Sequence, residues 1–386
     1  METHRPSVKS LTRILIALTL LGAATRTSDA TGSGIGIVYK DSAPALGLQL
    51  ANDQICFVDI DNDHFTDIIC GGVIWHNDRG KKFTNIGAAS NVVAADYDND
   101  GNVDLFSWSQ RKLMRNLGNG KFADTALPIL PAAVSRGACW TDFNNDGFVD
   151  LVIGGYEDWD RGITYPTTFL RNDAGKGFTK IADVASFRTR GVTAADYDRD
   201  GTADIYMSNY RLQANNLYIV DKDGKTLRDI APERGAVATS DGFDGGHSIG
   251  AAWGDIDNDG RLDLYICYYS PWTPETDKPC KNAQGTRDYC TPEIYDADTH
   301  RLFRNTPKGF VDITKSSGIE VNKGRGLAVA FVDYDQDGKQ DIFVANDLSP
   351  SFLWHNNGGL KFTDKAVEAG CAYSENGSLM AGMGIA

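Results

Sequence analysis

Asp96-Tyr-Asp-Asn-Asp-Gly-Asn-Val-Asp104 sets carboxylates at positions one, three, five and nine of nine residues, with glycine at position six. Alternation of short acids with a glycine cannot continue a helix or a strand, so the segment reads as a tight turn. Before it stands the small apolar run Val92-Val-Ala-Ala95 and after it Leu105-Phe106, so the unit is strand, acidic turn, strand. The unit recurs. Its carboxylate positions are Asp59, Asp61, Asp63 and Asp67 in the first copy and Asp96, Asp98, Asp100 and Asp104 in the second. The third holds Asp142, Asn144, Asp146 and Asp150, and the fourth Asp196, Asp198, Asp200 and Asp204. The fifth holds Asp255, Asp257, Asp259 and Asp263, and the sixth Asp333, Asp335, Asp337 and Asp341.

A second element follows each turn. Trp75-His-Asn77 with Phe83, Leu113-Met-Arg-Asn116 with Phe122, Leu170-Arg-Asn172 with Phe178, Leu217-Tyr218 with Leu227, Leu302-Phe-Arg-Asn305 with Phe310, and Leu353-Trp-His-Asn356 with Phe362 read as hairpins, most of them closed by glycine turns. Each repeat therefore supplies four short strands. Turn-to-turn spacings between 37 and 78 residues suit propeller blades whose loops vary in length. An open array of calcium-loop repeats needs neither the second hairpin nor this aromatic content. The expected fold is all-β: a seven-bladed β-propeller of six complete blades and a partial closing blade. Val38-Tyr-Lys-Asp-Ser42 and Gly382-Met-Gly-Ile-Ala386 resemble the two flanks of the seventh, which makes the chain read as truncated there.

Four short carboxylates converging on a turn that folds back at glycine form a cage of oxygens for a hard divalent cation, and calcium suits it better than magnesium, which keeps its waters. Up to six Ca²⁺ sites are expected, with dissociation constants on the order of 10⁻⁴ to 10⁻³ M. An EF-hand is excluded, because position twelve holds Cys70, Ser107, Ile153, Met207, Ile266 and Val344 rather than a bidentate Glu. His64 replaces glycine in the first turn and Asn144 replaces an Asp in the third, which weakens those two sites. Metal-free Asx turns are the competing reading; four clustered carboxylates without a cation would repel one another.

The turn with its flanking strands resembles the FG-GAP repeat of integrin α-subunit propellers, also called the VCBS repeat. The hairpins Leu302 to Asp312 and Leu353 to Asp364, with Asn346-Asp347 and Glu375-Asn-Gly377, resemble the secreted cartilage acidic protein and ASPIC/UnbV family. That resemblance spans residues 35–386 and implies calcium, export and a propeller; it implies no particular partner.

The chain has 386 residues, a net charge of −14 and 41% apolar content, enough for a large folded unit. The acidity argues against nucleic acid as a partner. Much of it sits in the turns: four carboxylates in each of six, less the one that Asn144 replaces, are twenty-three of 52 acids. Anionic surfaces are thus excluded less firmly. Residues 1–30, with Arg5, Lys9 and Arg13 ahead of the apolar run Ile14 to Ala24, read as a secretory signal peptide, and that run is too short to span a bilayer. Residues 31–386 are then the propeller, secreted to an extracellular or periplasmic compartment. Cys280 and Cys290, bracketing a short polar loop, are the first candidate disulfide and Cys56 with Cys70 the second.

No Walker, His-Glu-x-x-His or dinucleotide-binding motif is present. Gly246-His-Ser-Ile-Gly250 has the spacing of a nucleophile elbow but leads into an acidic turn instead of a helix, which speaks against Ser248 as a nucleophile. His247 reads as a solvated loop histidine, with a ligand or a base as the alternative, and His76 and His355 fill a slot that Arg takes in other repeats. The expected function is a non-catalytic adhesion or interaction module that binds protein or glycan through its long loops, Tyr156–Thr168, Asp241–Ser248 and above all 268–299 with Trp272 and Tyr289. The alternative is a carbohydrate-active propeller, lyase or lectin.

Overall fold

The computed structural model describes residues 42–49 and 54–385, apart from 129, 131–132, 185, 222–223, 240–244, 282, 287–289, 375 and 383. The expected signal peptide, most of the strand at 38–42, Tyr289, Glu375 and part of the loop at 241–248 lie outside the described residues.

The described strands form six four-stranded antiparallel sheets and one small hairpin. Sheet one comprises Ile55–Val58, Asp67–Cys70, Val73–Asn77 and Phe83–Gly87; sheet two, Val92–Ala95, Asp104–Ser107, Lys112–Asn116 and Phe122–Thr125. Sheet three comprises Ser135–Thr141, Asp150–Gly155, Thr167–Asn172 and Phe178–Val184; sheet four, Thr189–Ala195, Asp204–Asn209, Asn216–Val220 and Leu227–Asp229. Sheet five comprises Ser248–Gly254, Asp263–Tyr268, Arg301–Thr306 and Gly309–Asp312; sheet six, Gly326–Val332, Asp341–Asn346, Phe352–Asn356 and Phe362–Asp364. Every acidic turn joins the first strand of its sheet to the second, and every expected hairpin forms the third and fourth. The extra hairpin, Glu157–Asp158 with Ile163–Thr164, rises from sheet three.

First strands of consecutive sheets lie side by side, in chain order. Their approach is close enough to demand glycine: a Cβ on Gly191 would come within 2.4 Å of the Ile249 carbonyl oxygen, and one on Gly250 within 2.5 Å of that of Leu327. The core is correspondingly divided into layers between neighbouring sheets. Leu105 packs back towards sheet one while its neighbour Phe106 packs forward against sheet three. A strand with two covered faces needs apolar residues at every position, which is why the second strands read as unbroken apolar runs rather than alternating ones.

The same alternation decides the cysteines. Cys280 and Cys290 form the expected disulfide. Cys56 and Cys70 do not: Ile55 is paired with Cys70 and Cys56 with Ile69, so the two thiols project from opposite faces of sheet one. Cys139, Cys267 and Cys371 are also free, and burial raises the thiols of Cys139 and Cys371 to about 11.

His300 is fully enclosed between sheets five and six. Its Nδ1 accepts the Tyr268 backbone N–H at 2.9 Å, so Nε2 carries the proton and donates to Asn346 Oδ1 at 3.2 Å. Desolvation, reinforced by the charge of Arg301, lowers its pKa to about 3 against an opposing pull from Asn346. A histidine depressed in the folded state stabilises the fold above its unfolded pKa and loses that contribution as pH falls towards the folded value. Between pH 7 and pH 5 the loss is about 2 kcal/mol. Denaturant titrations in saturating calcium should therefore find the stability gap between the unmodified protein and His300→Gln narrowing by that amount at pH 5. A gap independent of pH would contradict the assignment.

Candidate functional site

All six turns share one hydrogen-bond plan. The position-one carboxylate accepts the backbone N–H groups of positions five and six, as Asp96 does from Asp100 (3.1 Å) and Gly101 (2.8 Å), and Asp333 from Asp337 and Gly338 (both 3.0 Å). The position-five carboxylate accepts from position seven, Asp146 from Phe148 at 2.9 Å. Glycine at position six takes a positive φ throughout, and His64 adopts φ 71° in its place, as its tolerance of that region leads one to expect. Position four is left-handed too. Asn62, Asn99, Asn145, Arg199, Asn258 and Gln336 all have φ between 55° and 66°, which explains the run of Asn there, a signal the reading for glycine alone passed over.

Position nine is the anchor. Asp104 is fully buried and accepts the N–H of Tyr97 at 3.1 Å and of Asn116 at 2.7 Å; Asp150 takes those of Phe143 and Asn172, and Asp263 those of Ile256 and Asn305. Desolvation outweighs these bonds, raising the carboxyl groups to about 6 in Asp104, 7 in Asp150 and Asp263, and 8 in Asp204. The neighbouring turn carboxylates push the same way. Added positive charge beside such a group favours its ionised form.

Position three faces inwards. Oδ1 of Asp61, Asp98 and Asp257 is buried with no hydrogen-bond donor. Oxygens of Asp96, Asp98 and Asp104, and of Asp196, Asp198 and Asp204, converge within 4.8 Å. Orphaned carboxylate oxygens meeting in a small space are the donor set of a hard cation, and the residues present fit calcium. The slot on the third strand differs between turns. Arg115 Nε lies 2.5 Å from Asp98 and its Nη2 2.8 Å from Asp100; Arg304 reaches Asp257 at 2.6 Å. In turns one and six a histidine stands there instead: His76 Nδ1 is 3.2 Å from Asp67, and His355 Nδ1 3.3 Å from both Asp335 and Asp341.

A second group of residues gathers at the other end of the strands, where first strands begin and second strands finish. It encloses a cavity of about 680 Å³ walled by Tyr156, Trp159, Tyr210, His247, Trp272 and Tyr295, within the size range of small-molecule sites. Two of the long loops build it: the hairpin at 157–164 and the disulfide-tied segment after Tyr268. His247 is buried, at 3% exposure, against the expectation of a solvated loop residue; the rings of Tyr210 and Trp272 cover it at 4.6 and 5.4 Å. Desolvation and the charge of Arg211 depress it to about 3. Ser248 is buried, its hydroxyl 2.7 Å from the Asn209 carbonyl oxygen and 2.6 Å from Asn215 Oδ1, a structural role. Arg136 of the cavity wall has a repeat counterpart in Arg190: both stand six residues before their acidic turn, where sheets five and six have Ile249 and Leu327.

A family model described as FG-GAP-like repeat matches residues 96–153 and 142–207, which hold the second, third and fourth turns and the strands about them. Residues 96–207 are FG-GAP-like repeats. Its sequence is 32% identical to mouse cartilage acidic protein 1 over 170 residues, 40% of this chain and 24% of that protein. It is 28% identical to the human protein over 262 residues, 62% of this chain and 35% of the relative. The chain thus spans well under half the length of these two curated relatives. A solved Agrocybe aegerita lectin, described as recognising non-reducing terminal N-acetylglucosamine, covers 84% of this chain and 82% of its own at 15% identity with a TM-score of 0.50, a likeness of fold. Among the described residues no helix is long and apolar enough to cross a membrane.

Proposed function

We propose that this FG-GAP-repeat chain is a secreted, calcium-stabilised propeller acting as a non-catalytic interaction module, with up to six Ca²⁺ in the acidic turns and a protein or glycan bound at the opposite end. The single observation that carries the reading is the division of labour along the strands: cation cages at one end, an aromatic cavity built from long loops at the other. Calcium holds the turns and thereby the sheets, and the sheets hold the loops. The disulfide and the relatives' description as cartilage acidic proteins support an oxidising, extracellular setting.

Seven sheets rather than six are supported by two unmatched contacts. In the turns of sheets one to five the position-two residue is buried against the next sheet, but Tyr334 in the sixth is 40% exposed. Met380 and Ala381 run beside Asp347 and Leu348, just as Gly324 runs beside Asp298 on the approach to sheet six. A seventh first strand would start there.

Trp272→Ala should abolish retention of the partner on protein and glycan arrays while the six sheets still melt in one cooperative transition, since its indole N–H is bonded to Asp277 in its own loop and its ring covers only the cavity side of His247. Undiminished retention would remove the cavity from the account. Turnover of any retained glycan would replace the non-catalytic reading with the carbohydrate-active one, for which His247, Glu157 and Asp158, all lining the cavity, are the candidates.

A further inference from the structure

A ladder of alternating cations and rings runs along the cavity wall and, at Arg190, behind it. Arg136 lies over Tyr156 at 5.5 Å, Arg190 over Tyr156 at 5.2 Å and over Tyr210 at 5.1 Å, and Tyr210 leads on to His247 and Trp272. Arg211 lies over Trp159 at 4.7 Å and, with Arg188, also clamps Glu157 (2.9 and 2.7 Å), whose charge is thereby more than balanced. Asp277 receives the Trp272 indole N–H and the Tyr295 hydroxyl, and Asp158 pairs with Arg161. Asp160 sits on the exposed rim.

Arg136 and Arg190 differ from these. Neither has a carboxylate partner among the described residues, and Arg190 Nε is buried without any hydrogen bond. Cation–π contacts hold a guanidinium in place while leaving its N–H edge free to donate. In a chain of net charge −14, two uncompensated guanidinium groups side by side are out of keeping with the rest of the molecule. Both ring nitrogens of buried His247 also lack partners. A neutral imidazole offers one donor and one acceptor, a match for a hydroxyl, and the indoles of Trp159 and Trp272 offer apolar faces. A carboxylate, hydroxyl groups and an apolar face belong together in a uronic acid.

We propose that the cavity binds an acidic glycan, a uronate carboxylate taking the Arg136 edge with Arg190 behind it, hydroxyls bonding to His247, and a pyranose face lying on Trp159 or Trp272. This rests on the reading of the cavity as the binding end and narrows its ligand to one class. The test is calorimetric titration of the whole chain, in calcium, with a galacturonate hexasaccharide, its methyl ester, a neutral galactose hexasaccharide and an oligo-glutamate peptide. The acid should bind at least tenfold tighter than ester or neutral sugar, and Arg136→Gln, at an exposed residue with no structural bond, should erase that preference. Arg190→Gln should do the same, and the ester comparison on the unmodified protein keeps the test intact if that variant misfolds. Equal affinity for acid and neutral sugar would overturn the uronate assignment while leaving a glycan module in place. Binding of the glutamate peptide alone would overturn it in favour of a protein partner. Binding of none of the four, with calcium-dependent melting retained, would remove this ligand class and leave the calcium-stabilised module standing.

Discussion

Chelation should lower the melting temperature of this protein by about 5 to 15 °C. Each turn in about 2 mM free calcium, with a dissociation constant on the order of 10⁻⁴ to 10⁻³ M, gains about 0.6 to 1.8 kcal/mol by mass action. Six turns together reach about 4 to 11 kcal/mol. The structural cause is that the same carboxylates that would meet a cation also cap the turn backbone. Asp96 fixes the N–H groups of Asp100 and Gly101, and Asp104 ties the turn to the third strand through Asn116. Without a cation, repulsion among the four acts on the bonds that hold first, second and third strands in register. Calorimetry with EDTA, with calcium restored and with magnesium in its place measures the effect. Restoration by magnesium as good as by calcium, or no shift with EDTA, would refute calcium as the stabilising ion.

The turns should not respond equally. Arg115 occupies the carboxylates of Asp98 and Asp100 that a cation would use, and Arg304 does the same in turn five. Arg115→Gln should therefore widen the difference between calcium-loaded and chelated protein, whereas His76→Gln, at a turn whose third-strand slot holds no guanidinium and whose Arg79 reaches Asp63 only at 3.9 Å, should leave it nearly unchanged.

How far the sequence could be read follows the range of the interactions. Turn chemistry is local: Asp96, Gly101 and Asp104 need only one another, so six turns, the strands beside them and the hairpins ahead of Phe83 and Phe122 could be placed from spacing alone. Features that depend on a neighbouring sheet were not visible. Cys56 and Cys70 are close in sequence and on adjacent strands, yet a one-residue offset in register parts them. His247 stands in a polar, glycine-rich segment and looks solvated, but Tyr210 of the previous repeat and Trp272 of the following loop close over it. The Arg136 and Arg190 positions were visible as a repeat coincidence, though only the side-by-side packing of first strands turns them into one charged wall.

The Asn on the third strand belongs to the same class, and replacing it should be among the most damaging single changes in the chain. Asn172 is 1% exposed and spends every polar atom of its side chain. Its Nδ2 donates to the Tyr97 carbonyl oxygen of the preceding turn at 2.8 Å and to that of Val149 in its own repeat at 2.9 Å, and its Oδ1 accepts the Gly175 N–H at 2.8 Å. Asn116, Asn305 and Asn356 repeat the bond to the preceding turn through Ile60, Tyr197 and Ile256. The residue whose carbonyl is captured is the apolar position-two residue that packs forward between the sheets, so one Asn fixes both the turn and the inter-sheet layer. Asn172→Val leaves two buried carbonyls and one N–H unpaired, at about 1 to 3 kcal/mol each before relaxation admits water, and a net loss of about 3 to 5 kcal/mol is expected in denaturant titrations. Sheet four supplies the internal comparison, because the register that aligns Tyr218 with Phe303 puts Val220 at the position of Asn305. Val220→Asn should thus cost far less than Asn172→Val, and by recovering a bond to Phe143 could raise stability by up to about 1 kcal/mol. If Asn172→Val cost under 1 kcal/mol, the sheets would be held together by their apolar layers alone and the repeated Asn would need another explanation.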